Sequence, residues 1–365
     1  MHLSWLELRG FRIYPELEFS PAPGLNVLVG PNGAGKTSIL EAVSYLSGLR
    51  SFRGTPDVAL IRTGAEGAVV RGGFVKEAGE TRVEVEIPGA GRRRVLVNSK
   101  RPSRLSDVAS TVPVVAFLPD DLDLVKEGSA IRRRFLDDLG SQLAPAYGAA
   151  ASDYDQTLRQ RNALLRRDGP MTDPLSLSVW DERLVEAAVV MWDARVELVE
   201  RLRPVLDEAH RSVAGPGETL RMLVAPAWGE GPDVWDAADG GSLLRRGLEG
   251  RRRREMEQRT TTLGPHRDEV SVRLGHRDVR TQASQGEQRS VAVALRIASY
   301  RNLLDRHGHP PVLLLDDVFS ELDLARTAAV VEMLPRGQVL VTTTREDEVP
   351  AVGGRRWEVG EGKVR

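Results

Sequence analysis

The residues from 30 to 37 read Gly-Pro-Asn-Gly-Ala-Gly-Lys-Thr. Glycines at this spacing let successive backbone N–H groups surround an anion, because no Cβ atom blocks its approach. The lysine and the hydroxyl residue that follow supply a positive charge for phosphate oxygens and a ligand for Mg²⁺. The pattern therefore predicts a nucleoside triphosphate site, with these candidate residues: Gly30, Pro31, Asn32, Gly33, Ala34, Gly35, Lys36 and Thr37.

Two adjacent carboxylates, Asp316 and Asp317, end the apolar run from 312 to 315. Such a run is typical of a buried parallel strand. In a phosphate-loop ATPase, the carboxylate at the end of a second strand holds Mg²⁺ and a neighbouring group orients the attacking water. We therefore predict that Asp316 and Thr37 bind the metal and that Asp317 orients the water. Lys36, Asp316 and Asp317 are then the catalytic candidates. The predicted cofactors are ATP and Mg²⁺. The alternative is a polar strand end that caps the next turn.

Four local elements must position these side chains. Residues 25–29 predict a strand before the glycines, and the residues after the loop, up to 46, predict a helix whose positive end faces the anion. A further apolar strand is predicted within residues 338–347, and a helix within 284–300, where the residues at 291, 294, 295 and 298 share one apolar face. Ser284 and Glu287 have the spacing of a capping box at the start of that helix.

The stretch Ser-Gln-Gly-Glu-Gln at 284–288 resembles the signature of the ATP-binding-cassette superfamily, and Ser-Glu-Leu-Asp at 320–323 resembles its D-loop. The resemblance implies that Ser284 is a catalytic residue and that Gly286 and Gln288 are nucleotide-binding residues, acting on a γ-phosphate held by a partner subunit. A capped helix start is itself an anion site, so the capping and functional interpretations are compatible. Threonines at 342–344 stand where transport cassettes carry a switch histidine, which leaves the phosphate sensor open.

The opening stretch, residues 3–19, resembles the SMC-like branch of the same superfamily, and this resemblance makes Arg12 a phosphate-sensing candidate. A surface arginine in a strand turn is the alternative. Residues 118–137 and 261–270 resemble signatures of the RecF family, although Ala130 stands where a proline is usual. The resemblance extends over both chain ends and these two stretches.

Resemblance to the RecF family implies an ATP-dependent DNA-binding protein of recombinational gap repair and replication restart. Its target would be a junction of single- and double-stranded DNA, with RecR and RecO as partners in loading RecA. It also implies a weak, DNA-stimulated ATPase that works through an ATP-dependent homodimer. Two alternatives remain: the ATPase subunit of an ABC-type transporter, and a DNA-binding scaffold without significant turnover.

Composition limits the class of protein. The chain of 365 residues has no cysteine and a formal net charge of −1. These values exclude a disulfide framework and a protein that coats nucleic acid by bulk charge. The sequence shows no bilayer-length apolar stretch and no signal-peptide layout, which predicts a cytoplasmic protein without a membrane partner.

Local arginine clusters at 92–94, 132–134 and 251–254 are candidates for DNA phosphate contacts. The cluster at 132–134 would open a helix, where positive charge is unfavourable and predicts an acidic or anionic partner.

The predicted fold is α/β: an ABC-type ATPase head with a phosphate loop, built from both chain ends, plus an inserted helical domain. We place the head in residues 1–130 and 263–365 and the insertion, a shortened SMC-like arm, in residues 131–262. Apolar residues at 185, 189, 192, 196 and 199 alternate spacings of four and three, which predicts a coiled-coil-like seam that lasts until Pro204.

Overall fold

Strands and helices alternate along the chain in the computed structural model, which describes residues 1–228, 237–320, 324–332, 337–345, 349 and 353–365. The strands are β1 (His2–Phe11), β2 (Tyr14–Phe19), β3 (Leu25–Val29), β4 (Gly67–Lys76), β5 (Gly79–Pro88), β6 (Arg94–Val97), β7 (Val114–Phe117), β8 (Leu220–Ala225), β9 (Glu269–Leu274), β10 (Arg277–Asp278), β11 (Val312–Asp316), β12 (Val339–Thr343), β13 (Arg355–Gly360) and β14 (Lys363–Val364). The helices are α1 (Lys36–Gly48), α2 (Asp107–Thr111), α3 (Asp123–Lys126), α4 (Ser129–Leu143), α5 (Pro145–Asp168), α6 (Pro174–Ala214), α7 (Ala237–Gln258), α8 (Val279–Gln282), α9 (Gln285–His307) and α10 (Leu324–Val331).

The chain divides into two compact units. Unit 1 contains Met1–Leu122, Glu208–Gly217 and Arg289–Arg365, and unit 2 contains Asp123–Asp207 and Glu218–Gln288. The predicted α/β class is confirmed, because strands and helices mix within each unit. The functional domain limits at 130 and 262 stay a prediction.

Unit 1 contains two sheets with helix α1 in contact with strands of both. One sheet is antiparallel, in the order β2-β1-β4-β5-β6, and the other has the order β14-β13-β3-β12-β11-β7 with parallel pairing from β13 to β7. The α1 residues Leu40, Val43 and Leu46 are fully buried and join the strands in one apolar core. Every residue of β11 and β12 and all but the last residue of β3 are buried, which fits a sheet that is covered on both faces.

The strand order brings together chain segments that are far apart in sequence. Strand β12 lies between β3 and β11, with Thr342 opposite Asp316 on one side and opposite Leu28 on the other. Because these three strands are parallel, their carboxyl ends lie at one edge of the sheet. The glycine-rich loop after β3 and the aspartates after β11 therefore share that edge.

Unit 2 combines a small antiparallel sheet, in the order β10-β9-β8, with helices α4, α5 and α7 and the part of α6 up to Asp207. Its interior includes a charged cluster: fully buried Arg161 donates to Asp181 at 2.8 Å, to Glu255 at 2.7 Å and to Thr261 at 2.7 Å. Buried charges are stable only when paired in this way. The apolar seam was predicted to last until Pro204; helix α6 continues through that proline, which lies inside it.

The arginine clusters mostly contact groups of their own unit. Arg132, at the start of α4, donates to the carbonyl oxygens of Leu124, Glu127 and Val270, and Glu269 lies 4.0 Å away. The predicted acidic partner is therefore secondary to main-chain carbonyls, which satisfy this buried cation. Arg252 of the cluster at 251–254 lies 3.1 Å from Asp181. Contact of these clusters with DNA stays a prediction.

Within the part of the chain that the structure describes, no helix combines the length and the apolar character that crossing a bilayer requires. The same residues contain no group of three or more histidines and carboxylates arranged to hold a metal ion by themselves. A magnesium ion at the aspartates would accordingly need oxygen ligands from elsewhere, such as a hydroxyl, water or phosphate.

Candidate nucleotide-binding site

The loop between β3 and α1 is shaped by glycines in conformations that other residues rarely adopt. Gly33 and Gly35 have φ values of 80° and 101°, in the left-handed region. A Cβ atom at Gly35 would lie 2.5 Å from Cδ1 of Ile13 and 2.6 Å from the hydroxyl of Tyr14. One at Gly30 would collide with the carbonyl oxygen of Val359. Glycine is therefore required at Gly35 by both the dihedral angle and the space, at Gly33 by the dihedral angle, and at Gly30 by the space.

Lys36 begins α1 and folds back over the loop. Its ammonium donates to the carbonyl oxygens of Gly30 at 2.6 Å and Pro31 at 3.0 Å, and the residue is 7% exposed. Burial lowers the pKa of this ammonium from its ordinary value, while the negative charges of Asp317 and Asp316 act in the opposite direction. The arrangement places a cation inside the loop, within the field of both aspartates.

The hydroxyl of Thr37 donates to Oδ1 of Asp316 at 2.8 Å, across a sequence separation of 279 residues. The hydroxyl of Thr342 donates to the same oxygen at 2.7 Å. Asp316 is 6% exposed, so this carboxylate lies at a nearly closed end of the sheet. A threonine hydroxyl beside a carboxylate is a hard oxygen donor set, which fits Mg²⁺ completed by water and phosphate oxygens.

Asp317 stands in a strained backbone conformation next to this pair. Its φ value is 53°, which is uncommon for a residue with a side chain, although aspartate tolerates it better than most. Its backbone N–H lies 3.0 Å from the hydroxyl oxygen and 3.2 Å from the carbonyl oxygen of Thr342. Strain of this kind concentrates at functional sites, where the surrounding structure maintains it.

Arg12 lies between β1 and β2, but it is not a free surface arginine. Its guanidinium donates to both carboxylate oxygens of Glu41 on α1, at 2.8 and 2.7 Å, and also to Thr55 and the carbonyl oxygen of Ala59. Glu41 is fully buried and receives a third hydrogen bond from Ser51. Arg12 therefore anchors the helix that follows the phosphate loop, and its role toward phosphate stays a prediction.

Ser284 and Glu287 form the predicted capping box at the start of α9. The N–H of Ser284 donates to Glu287 at 2.7 Å, and the N–H of Glu287 donates to the Ser284 hydroxyl at 3.3 Å. Hydrogen bonds from Arg277 lower the pKa of the Glu287 carboxyl to about 2. Ser284 and Gly286 are exposed, whereas buried Gln288 donates to the carbonyl oxygens of Val279 and Arg280.

The predicted site residues thus form two groups. The structure brings Lys36, Thr37, Asp316 and Asp317 together in unit 1, while Ser284, Gly286 and Gln288 lie in unit 2. Residues 321–323 of the predicted D-loop lie outside the described residues. Thr342 is one of the three threonines that stand where transport cassettes carry a switch histidine, and its contacts with the aspartates were not predicted.

Comparisons with known proteins show what this chain is similar to. The family model described as the RecF/RecN/SMC N terminal domain matches residues 2–353. A DNA replication and repair protein RecF of Streptomyces avermitilis is 39% identical over 373 residues, covering 100% of this chain and 99% of the relative. The corresponding protein of Frankia alni is 40% identical over 376 residues, with the same coverage.

Solved structures show the same similarity. A structure of the recombination mediator protein RecF with ATP, in the RecFOR pathway, has a TM-score of 0.91 and 27% sequence identity, and the match covers 100% of this chain and 97% of that one. An Smc head domain of Pyrococcus furiosus has a TM-score of 0.55 and 19% identity, covering 100% and 95%. The second similarity concerns the fold alone. Together they support the predicted ABC-type head.

Proposed function

The chain belongs to the family of the RecF/RecN/SMC N terminal domain, and from this premise we propose that it is an ATP-binding protein of DNA replication and repair. The relatives reported above are named for DNA replication and repair, and none of them favours a transporter subunit. The nucleotide would bind at the loop between β3 and α1. Its γ-phosphate would then face the two aspartates at the end of β11.

The observation that carries this proposal is the hydrogen bond between Thr37 and Asp316. It joins the end of the phosphate loop to the end of a separate strand at 2.8 Å. These are the two oxygen groups that a phosphate-loop ATPase uses on its metal ion. A glycine turn that preceded a helix by chance would not explain the hydrogen bond between Thr37 and Asp316.

Each charged group of the site has a separate task. Lys36 supplies positive charge to the β- and γ-phosphates. Thr37 and Asp316 would hold Mg²⁺, which would neutralise phosphate charge. Asp317 accepts a hydrogen bond from the attacking water and so orients it.

Hydrolysis would be weak, stimulated by DNA and regulatory. Ser284 and Gly286 of one copy would contact the γ-phosphate held by Lys36 of a second copy, which makes ATP part of the interface of a homodimer. The dimer would bind junctions of single- and double-stranded DNA in the cytoplasm, as part of gap repair and the SOS response. Its partners would be RecR and RecO, and its effect would be the loading of RecA. Support for these finer points comes from the family and from the exposure of Ser284 and Gly286.

The test of the proposal is the substitution Lys36→Met. We expect ATP binding, measured with a fluorescent ATP analogue, to be lost, because the loop loses the charged group that contacts phosphate. Binding of the wild-type protein to a DNA junction should increase with ATP, and the variant should lose this increase.

A matched control is Lys76→Met. Lys76 is also a partly buried lysine of unit 1, donates to the carbonyl oxygen of Thr111 at 2.5 Å, and has a pKa lowered by burial. This variant should still bind ATP. Equal ATP affinity of the wild-type and folded Lys36→Met proteins would show that the loop is not the nucleotide site.

A further inference from the structure

Thr342 contacts both aspartate residues of the site. It lies at the end of β12, opposite Asp316 on β11, and is 1% exposed. Its hydroxyl donates to Oδ1 of Asp316 at 2.7 Å and accepts the N–H of Asp317 at 3.0 Å. One side chain is thus bonded to the candidate metal ligand and to the residue that orients water.

We propose that Thr342 is the positioning residue of this site, whose hydroxyl fixes the carboxylate of Asp316 and the backbone of Asp317 in register with each other. The inference rests on the proposed nucleotide function and adds a residue to it. Thr342 itself touches neither metal nor nucleotide in this scheme. It acts through the two aspartates.

The first part of the argument concerns the Asp316 carboxylate. Two hydroxyls from different elements, Thr37 of α1 and Thr342 of β12, donate to its Oδ1 at 2.8 and 2.7 Å. Hydrogen bonds to a charged acceptor are short and strong, so two of them from different directions fix the rotation of the carboxylate. Thr37 is also a candidate metal ligand, whereas Thr342 is held within the sheet. Thr342 therefore provides the contact that stays in place when the metal is exchanged.

The second part concerns the backbone of Asp317. Its left-handed conformation, at a φ of 53°, is unfavourable for a residue with a Cβ atom. Two acceptors near its N–H belong to Thr342: the hydroxyl oxygen at 3.0 Å and the carbonyl oxygen at 3.2 Å. These bonds stabilise the unfavourable turn, and the turn sets the direction in which the Asp317 side chain leaves the strand.

A purely structural role makes a different prediction. Any buried hydroxyl needs partners, and removing one lowers stability without a specific effect on a metal. Loss of a group that orients a metal ligand instead weakens metal affinity or activity by about 10–100-fold. Two substitutions separate the roles: Thr342→Val keeps the shape and removes the hydroxyl, and Thr342→Ser keeps the hydroxyl and removes the methyl group.

The experiment compares both variants with the wild-type protein. For Thr342→Val we expect the Mg²⁺ concentration that half-saturates binding of a fluorescent ATP analogue to rise about 10–100-fold, and kcat for ATP to fall more than KM changes. Amide hydrogen exchange of peptides covering residues 312–319, in protein free of metal and nucleotide, should become faster, because the Asp317 N–H loses an acceptor. Thr342→Ser should restore all three properties.

Two results would overturn the inference. One is a Thr342→Val protein with wild-type Mg²⁺ dependence, kcat and amide exchange. The other is a Thr342→Ser protein as impaired as Thr342→Val, which would assign the effect to packing of the methyl group. Lys36→Met tests the nucleotide function separately: if it leaves ATP binding unchanged, the proposed function fails whatever Thr342 does.

Discussion

The charged ammonium of Lys36 already has hydrogen-bond acceptors within the protein before any nucleotide binds. Its ammonium satisfies the carbonyl oxygens of Gly30 and Pro31, which point into the loop. Without those bonds the carbonyls would repel phosphate oxygens that approach the same space. The lysine therefore maintains the loop in a closed form and supplies the charge that an incoming phosphate group requires. Burial, which lowers its pKa, strengthens any such contact by limiting the screening of charge by water.

Asp316 and Asp317 make different contacts, so replacing each of them by asparagine should affect ATP hydrolysis and Mg²⁺ binding differently. Asp317→Asn should keep ATP and Mg²⁺ bound and slow hydrolysis by about 10²–10⁴-fold, because the amide is no base yet has nearly the same shape. Asparagine also tolerates the left-handed φ of 53° at this position. Asp316→Asn should instead raise the Mg²⁺ concentration required for ATP binding, since the carboxylate is the candidate ligand. ATP turnover measured across a series of Mg²⁺ concentrations separates the two effects.

The wild-type protein and the Thr342→Val variant serve as references in the same titration. If both amide variants lose stability equally and keep the metal dependence of the wild-type protein, the aspartates cap a turn. That was the alternative considered from the sequence.

At the scale of elements, the segment at 261–270 is a structural centre of unit 2. Arg195 is fully buried and donates to the carboxylate of Asp268 at 2.9 Å and to the carbonyl oxygen of Pro265 at 2.9 Å. His266 lies 2.6 Å from the hydroxyl of Tyr154 on α5. The contacts explain why a polar stretch between α7 and β9 is held inside the unit: its side chains hydrogen-bond the surrounding helices.

His266 makes the stability of the protein depend on pH. Burial lowers the pKa of its imidazole to about 4, from an ordinary value of 6.5. The unfolded chain therefore binds a proton at this residue more readily than the folded chain between these values, and the contribution of His266 to stability falls as the pH falls through this window. Urea unfolding of the wild-type protein should show a loss of about 2–3 kcal/mol from this group between pH 7 and pH 4.

His266→Asn is the variant that tests this effect. Asparagine does not titrate, so the loss of unfolding free energy between pH 7 and pH 4 should be about 2–3 kcal/mol smaller in this variant than in the wild-type protein. The variant should be less stable at pH 7, because a buried hydrogen bond is changed. Equal slopes of unfolding free energy against pH in the two proteins would show that His266 does not titrate in this window.

At the scale of the whole molecule, Ser284 and Lys36 belong to different units. In the proposed homodimer, the α9 start of one copy meets the phosphate loop of the other about a two-fold axis. ATP then contributes contacts to both copies, which links binding of nucleotide to assembly.

Ser284→Arg should block that assembly. A long side chain at the exposed start of α9 would occupy the position of the γ-phosphate of the partner, while the same copy keeps its own loop. Sedimentation with ATP and Mg²⁺ should show a monomer that still binds ATP and lacks ATP-enhanced binding to DNA. The loss of the serine cap should cost about 1 kcal/mol, so the variant should remain folded.

The control for the assembly experiment is Ser242→Arg, which adds the same side chain at an exposed position of α7. It should dimerise with ATP. A wild-type protein that stays monomeric with ATP, Mg²⁺ and DNA present would contradict the two-fold arrangement.

The sequence by itself determined the local parts of this protein. Glycines and lysine at 30–36 specify the loop, because their conformational freedom and charge act within a few residues. The apolar runs before Gly30 and at 312–315 predicted β3 and β11, and the capping box at Ser284 predicted the start of α9. In each case the physical cause lies between residues that are neighbours in the chain.

Only the tertiary structure decided which distant groups meet. The order β3-β12-β11 brings Thr37 to Asp316 and inserts Thr342 beside both aspartates. Long-range packing also pairs Arg12 with the buried carboxylate of Glu41. It gives Arg132 main-chain carbonyl oxygens as its main partners, where the sequence predicted an acidic or anionic partner. Strand order and side-chain pairing depend on the packing of the whole unit, because a polar group accepts any suitable partner that the fold brings within reach.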